Sequence, residues 1–262
     1  MMPDAQMRKI MNVNTYLTYI FTEWGPPALY IDFDGTISKR DVIDEILKEF
    51  ADEKWLEIER EWTTGRIGSR ECLKKQLALV RVRPRDLDEF IDALALDEGF
   101  VSLLTFCKEI DIPVRIISDG FNYYIERMIG RAVDDRRLLE NVEIFANILT
   151  LVGADRWRPR FPFFRKICDD GCATCKPRVM QVTNAVAAST VFVGDGLSDR
   201  FAARAADVVF AKDKLKDHCR LNKIQLTEYT NLRQVAESLD EAYETFALAS
   251  SGKRLNRWLK AA

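Results

Sequence analysis

Residues 28–36 read Ala-Leu-Tyr-Ile-Asp-Phe-Asp-Gly-Thr, a short apolar run ending in two carboxylates and a glycine. A run of this kind is a buried strand that hands its last residues to a loop. In an extended strand alternate residues share a side, so Asp32 and Asp34 can both face one way above the carboxyl edge of a sheet. Two negative charges that close cost energy unless a cation or a proton sits between them.

Working outward, the same arrangement returns at residues 190–199. The apolar run Thr190 to Val193 is followed by Gly194-Asp195-Gly196-Leu197-Ser198-Asp199 and then a helix, Ser198 to Ala206. Val114 to Ser118 and Asp207 to Ala211 are two further strands, and helices are expected over Asp97 to Ile110, Phe121 to Arg131 and Lys176 to Ala188. Strands alternating with helices give a parallel sheet, so Asp195 and Asp199 belong at the edge that carries Asp32 and Asp34. Asn141 to Arg158 alternates apolar and polar residues around Gly153, which suggests an antiparallel pair or flap.

Asp41 to about Leu96 has helical spacing throughout and is too long for an ordinary crossover, so a separate lobe is expected there. The expected fold class is α/β, a doubly wound parallel sheet with a small helical domain inserted after the first strand. The corresponding division is an N-terminal extension (1–27), a core (28–40 and 97–230), the helical insertion (41–96) and a C-terminal helical tail (231–262). In that tail Leu255, Trp258 and Leu259 make an apolar edge expected to pack on its own domain.

Composition narrows the chemistry. With 39 basic against 41 acidic side chains, a formal charge of −2, the 262 residues supply no long-range attraction toward nucleic acid or anionic membrane. No apolar run approaches the roughly 20 residues that span a bilayer, and the start has no sustained apolar segment of a secretory signal, so a cytoplasmic protein is expected. The single histidine, His218, excludes a His-rich metal centre. Converging carboxylates with no imidazole or thiolate among them suit a hard cation such as Mg²⁺. Ser118, the backbone N–H groups near Gly120, and Lys176 at the start of its helix are the donors that phosphate oxygens need.

Four motifs in chain order, Asp-Phe-Asp-Gly-Thr (32–36), Ile-Ile-Ser-Asp-Gly (116–120), Cys-Lys-Pro (175–177) and Gly-Asp-Gly-Leu-Ser-Asp (194–199), resemble those of the haloacid dehalogenase superfamily of phosphohydrolases. The likeness runs from about Tyr30 to Ala211, and the helical insertion resembles the cap of the phosphoserine-phosphatase-like subfamily. The resemblance implies a haloacid-dehalogenase-like Rossmannoid core and a phosphoric monoester hydrolase acting on a small molecule. It makes Asp32 the nucleophile that forms an aspartyl-phosphate, and Asp34 the general acid and then the base. Mg²⁺ is assigned to Asp32, Asp195 and the backbone carbonyl of Asp34, with Asp199 as an outer or alternate ligand. Ser118, Asp119, Gly120 and Lys176 are assigned to the phosphoryl oxygens. A non-catalytic metal- or phosphometabolite-binding module, or a phosphotransferase, are the alternatives. The expected partner is a small-molecule phosphate monoester, with no nucleic acid and no membrane, and the chain acting as monomer or homodimer.

The insertion bears on substrate. Laying residues 65–69 over the cap pattern puts Asp41 at the acidic position and Gln76 where an arginine that pairs a substrate carboxylate is expected; Arg66 or Arg70 could substitute. Phosphoserine is disfavoured on that ground. Residues 172–177 and 194–220 resemble the 2-hydroxy-3-keto-5-methylthiopentenyl-1-phosphate phosphatases of methionine salvage, while residues 118–126 resemble phosphoethanolamine and phosphocholine phosphatases. Cys168, Cys172 and Cys175 could hold a structural Zn²⁺ if a fourth ligand such as Asp170 or Cys219 came near, or could be reduced, partly buried thiols.

Overall fold

A computed structural model describes residues 11–166, 168, 170–184 and 189–259, with side chains through residue 251. Seven strands, β1 (Ala28–Ile31), β2 (Val114–Phe121), β3 (Val142–Leu151), β4 (Trp157–Arg160), β5 (Thr190–Gly194), β6 (Val208–Ala211) and β7 (Thr227–Glu228), form one sheet in the order β4-β3-β2-β1-β5-β6-β7. All neighbours are parallel except β3 and β4. The expected doubly wound parallel sheet is therefore present.

The segment expected as an antiparallel pair serves two sheets' worth of pairing. Its first half, from Val142 to Phe145, runs parallel to Val114–Ile117, and only Ile148 to Leu151 turns antiparallel to β4. β3 lies next to the edge strand and pairs with β2 along its first half and β4 along its second, a change of partner that the alternation in the sequence does not mark.

Strand alternation sorts the interior into two layers. Leu29, Ile31, Val114, Ile116, Val191, Val193, Val208 and Phe210 face one layer, and Tyr30, Ile117, Phe192 and Val209 face the other. The second layer is closed by α8 (Lys176–Thr183), α9 (Arg200–Ala205) and α10 (Asp213–Leu221), through Val179, Met180, Ala202, Ala203, Leu215 and Cys219. The expected helix from Lys176 is described as far as Thr183, and residues 185–188 lie outside the described residues.

The first layer is larger. It takes α1 (Val13–Trp24), α6 (Phe100–Glu109), α7 (Asn122–Ala132) and α11 (Leu232–Leu259). It also takes the apolar sides of the inserted helices α2 (Val42–Phe50), α3 (Trp55–Thr63), α4 (Ser69–Leu77) and α5 (Pro84–Asp92). The apolar sides of the inserted helices thus belong to the same buried cluster as this face of the sheet. The N-terminal segment is likewise part of the interior. Tyr16, Leu17, Ile20 and Phe21 of α1 are buried beside Leu239 and Ala242 of α11, and Asn14 Nδ2 donates to Glu241 Oε2 at 2.6 Å. The edge expected at Leu255, Trp258 and Leu259 lies outside the described side chains.

Asp97 ties the start of the C-terminal helix to the core. Its Oδ1 accepts from Gly99 N at 2.8 Å and Leu232 N at 3.0 Å, so one carboxylate holds the starts of α6 and α11. A Cβ on Gly99 would lie 2.1 Å from Arg233 N, so the approach needs glycine.

Candidate active site

β1 ends beside β5, with Asp32 N donating to Val193 O at 2.9 Å, and the chain then folds into a tight turn over Phe33–Ile37. The turn needs Gly35, whose φ of +76° lies in the left-handed region. Its missing Cβ also matters, since that atom would stand 2.5 Å from Asp195 Oδ2. Ser38 Oγ accepts from Gly35 N at 3.2 Å and closes the turn. Asp32 is thereby buried at the sheet edge and Asp34 half-buried beside it.

Two other strand ends reach the same place. In β2 the parallel register shifts between Ile117 and Phe121, which releases Ser118, Asp119 and Gly120 from regular pairing. Ser118 Oγ accepts from Gly120 N at 2.7 Å and donates to Asp34 Oδ2 at 3.0 Å. Beyond β5, Asp199 folds back so that its Oδ2 accepts from Asp195 N and Gly196 N, each at 3.1 Å. Lys176, at the first position of α8, is 1% exposed, and its Nζ donates to Asp32 Oδ1 and Asp199 Oδ1, both at 2.6 Å.

Asp32, Asp195 and Asp199 each bring a carboxylate oxygen within 4.8 Å of the others'. Asp199 has both oxygens committed, to Lys176 and to the loop amides, and Asp195 Oδ1 accepts from Thr36 Oγ1 at 2.7 Å. Among the described residues, Oδ2 of Asp32 and Oδ2 of Asp195 take no hydrogen bond, which leaves two hard oxygens for a cation. Burial, and then repulsion from Asp199, push the Asp32 carboxyl well above its usual range and the Asp195 carboxyl up to about 7. A divalent cation among these oxygens would relieve that repulsion, so the donor set fits Mg²⁺. Burial lowers the affinity of Lys176 for its proton, but Asp199 and Asp32 outweigh it and hold the ammonium above its ordinary value. Asp34 differs from its neighbours. Burial raises it to about 6 against the hydrogen bonds of Tyr124, Ser118 and Val42 N, near the range useful for moving protons at neutral pH.

A cavity of about 320 Å³ opens over these groups. Its floor is Asp32, Asp34, Ser118, Asp119, Gly120 and Asp195, and its far wall comes from the insertion. Asp41, Ile43, Asp44, Glu59, Trp62 and Gln76 are among that wall's residues, with Lys214 at the side. Of the four insertion residues singled out in the sequence, Asp41 and Gln76 line the cavity. Arg66 is exposed in a neighbouring cleft with Asp170 and Arg200, and Arg70 stacks over Phe164 at 4.3 Å. No arginine lines the cavity among the described residues.

Several contributors escape motif reading. Tyr124 OH donates to Asp34, and Thr36 to Asp195; both lie inside stretches the sequence marks, but nothing in their residue types announces the partner. Ser69, at the start of α4, donates to Asp119 Oδ2 at 2.7 Å and accepts from Ala173 N at 2.9 Å. No local signal reveals a contact across fifty residues. Of the two readings of the cysteine cluster, Zn²⁺ gains no support. Among the described residues the sulfurs of Cys168, Cys172 and Cys175 do not gather into a ligand group. Cys219 is buried in the layer under α10, and Asp170 faces Arg200 at 3.8 Å.

The site can be set beside known proteins. A family profile described as "Putative Phosphatase" matches residues 28–242. The 2-hydroxy-3-keto-5-methylthiopentenyl-1-phosphate phosphatase of Geobacillus thermodenitrificans is 28% identical over 214 residues, 81% of this chain and 94% of the relative. The protein of the same name from Geobacillus kaustophilus is 30% identical over 199 residues, covering 74% and 86%. Among solved structures, the "Phospho-Aspartyl Intermediate Analogue of Phosphoserine phosphatase" superposes with a TM-score of 0.61 at 20% identity, covering 81% of this chain and 98% of that one. Fold, profile and carboxylate cluster agree: the chain belongs to this phosphatase family and is a phosphoric monoester hydrolase.

Proposed function

We propose that the chain is a Mg²⁺-dependent phosphatase that hydrolyses 2-hydroxy-3-keto-5-methylthiopentenyl-1-phosphate through an aspartyl-phosphate on Asp32. The observation that carries the reaction is the convergence of Asp32, Asp195 and Asp199 around one buried lysine, at the edge where Asp34 and Ser118 also meet. Asp32 attacks phosphorus as the bond to the leaving oxygen breaks, and Asp34 gives its proton to that oxygen. Asp34 then takes a proton from water as the water attacks the acyl phosphate, and the bond between phosphorus and Asp32 breaks. Ser118, the N–H groups of Asp119 and Gly120, and Lys176 hold the phosphoryl oxygens, which compete for donors now engaged with Asp34, Asp32 and each other. Mg²⁺, held by Asp32, Asp195 and the carbonyl of Asp34, would supply neutralising charge for the carboxylates and the phosphoryl group. Asp199 anchors Lys176 and the loop.

Residues 41–96 act in this reading as a cap over the leaving group. Ile43, Trp62 and Leu73 offer apolar contact to a methylthio chain, and Asp44, Glu59 and Gln76 offer acceptors and a donor to its oxygens. A second reading has one observation in its favour. Carboxylates of Asp41, Asp44 and Glu59 beside Trp62 also suit an ammonium group, as in phosphoethanolamine or phosphocholine. Among the described residues no guanidinium lines the cavity to pair the carboxylate of phosphoserine. The six free cysteines suit a reducing compartment and the cytoplasmic placement expected from the sequence.

Phosphate release from these four esters by purified enzyme, with and without EDTA, tests the proposal. The methylthio ketose phosphate should give the highest kcat/KM, chelation should abolish turnover and Mg²⁺ restore it, and Asp32→Asn should be inert. Metal-independent turnover, or an active Asp32→Asn enzyme, refutes the mechanism; faster turnover of a choline or ethanolamine ester transfers the substrate assignment to the second reading.

A further inference from the structure

The hydroxyl of Tyr124 has no place in the reaction described so far, yet it is aimed at the group that moves the protons. It lies 2.9 Å from Asp34 Oδ2 and 3.0 Å from Oδ1, and Tyr124 is fully buried. A hydroxyl equidistant from both oxygens fixes the plane of the carboxylate without claiming either edge. Ser118 Oγ on Oδ2 and Val42 N on Oδ1, at 3.0 and 3.1 Å, fix the remaining freedom. Ser118 is also assigned to the phosphoryl group, and once it turns there Tyr124 and Val42 N are what hold Asp34 in place.

The surroundings are built for this contact. Tyr124 is carried on α7 and wedged between Phe33, 5.9 Å away between ring centres, and Phe121, 6.4 Å away. Its hydroxyl passes through the space over Gly120. A Cβ on that residue would fall 1.8 Å from the Tyr124 oxygen and 2.3 Å from Asp34 Oδ2. The same strand end therefore supplies phosphate donors and keeps open the passage by which the phenol reaches the acid.

We propose that Tyr124 is a positioning residue that orients the Asp34 carboxyl toward the leaving-group oxygen, so that proton transfer to that oxygen depends on the phenol. The proposal rests on Asp34 acting as the general acid. It predicts an effect graded by the leaving group. An alkoxide needs its proton as the bond to phosphorus breaks, whereas a nitrophenolate leaves without one. Misplacing a catalytic group by about an ångström costs on the order of a hundredfold where that group is used, and nothing where it is not.

The test compares wild type, Tyr124→Phe and Asp34→Asn on an alkyl phosphate substrate and on 4-nitrophenyl phosphate, read as kcat/KM, which covers steps up to release of the first product. Tyr124→Phe keeps the ring between Phe33 and Phe121. It should lose about tenfold to a hundredfold on the alkyl ester and less than about threefold on the aryl ester. Equal losses on both, which a packing defect or misfolding would give, overturn the proposal, as does no loss on either. Asp34→Asn separates this failure from that of the mechanism. If it too shows no bias against the alkyl ester, the acid assigned to Asp34 is wrong; if it shows the bias and Tyr124→Phe does not, the role given to Tyr124 alone falls.

Discussion

At the scale of single residues, the site is a problem of buried charge solved by one lysine. Asp32 and Asp199 are 4% and 0% exposed, and Lys176 Nζ bridges them with two contacts of 2.6 Å. Such an arrangement contributes little net stability when intact, since desolvation offsets attraction, but removing one member strands the others. Lys176→Met keeps the length and bulk of the side chain and should cost about 3–5 kcal/mol, a large part of the roughly 5–15 kcal/mol that holds a domain together. Adding Asp199→Asn removes one of the stranded charges, so the double variant should unfold at a higher temperature than Lys176→Met alone. Calorimetry in the presence of EDTA reads both; a double variant as unstable as the sum of the two singles would mean that the three groups do not act as a unit.

At the scale of elements, the insertion meets the loops of the site through Ser69 and Gly68, as well as through Val42 N on Asp34 Oδ1. Ser69, at the start of α4, bridges the Asp119 carboxylate and Ala173 N, and Thr174 N donates to the other Asp119 oxygen at 2.8 Å. Gly68 packs so tightly on the 170–171 backbone that a Cβ there would lie 2.4 Å from Gly171 O. Ser69→Ala leaves a half-buried carboxylate short of a donor, and burial already raises the Asp119 carboxyl. It should destabilise by about 1–3 kcal/mol and speed hydrogen exchange in both α4 and residues 171–175; faster exchange in α4 alone would show that the two segments are not coupled through this hydroxyl. None of this bridge was legible in the sequence, because hydrogen bonds between residues 50 and 104 apart leave no local period. What was legible followed from local chemistry. β1, β2, β5 and β6 declare themselves as apolar runs cut off by loops, three of them through an Asp-Gly pair, and their parallel order brings Asp32, Asp34, Ser118 and Asp195 to one edge. β7, two residues long, carries no pattern, and β3 could be read in either direction. Motif spacing placed Arg66 and Arg70 near the cavity, but which way a long side chain turns depends on neighbours such as Phe164 that spacing does not contain.

At the scale of the whole molecule, one apolar layer links the chain's two ends to the inserted helices. α1 sits against α11, and Phe21 meets Tyr243 and Phe246 at 5.6 and 6.2 Å between ring centres. α11 in turn meets α6, where Phe106 lies 6.5 Å from Tyr243, and the starts of α6 and α11 share the Asp97 carboxylate. Burial of Tyr16, Leu17, Ile20 and Phe21 spans 0–3% exposure, so each hides nearly all of its side chain. At about 1.5–3 kcal/mol for each buried side chain, taken as an upper estimate, the four together rival the stability of an average domain. The residues proposed for the reaction all lie beyond residue 27, so a chain of residues 28–262 contains every one of them and still should not hold them in place. Such a truncation is expected to bind a hydrophobic dye, lose its cooperative thermal transition and lose phosphatase activity. Leu17→Ala in the full chain should lose about 2–5 kcal/mol with kcat unchanged at temperatures where it remains folded. A truncated chain that melts cooperatively and turns over at the full-length rate would mean that the layer beneath the sheet is closed without α1, and that α1 packs on a finished domain.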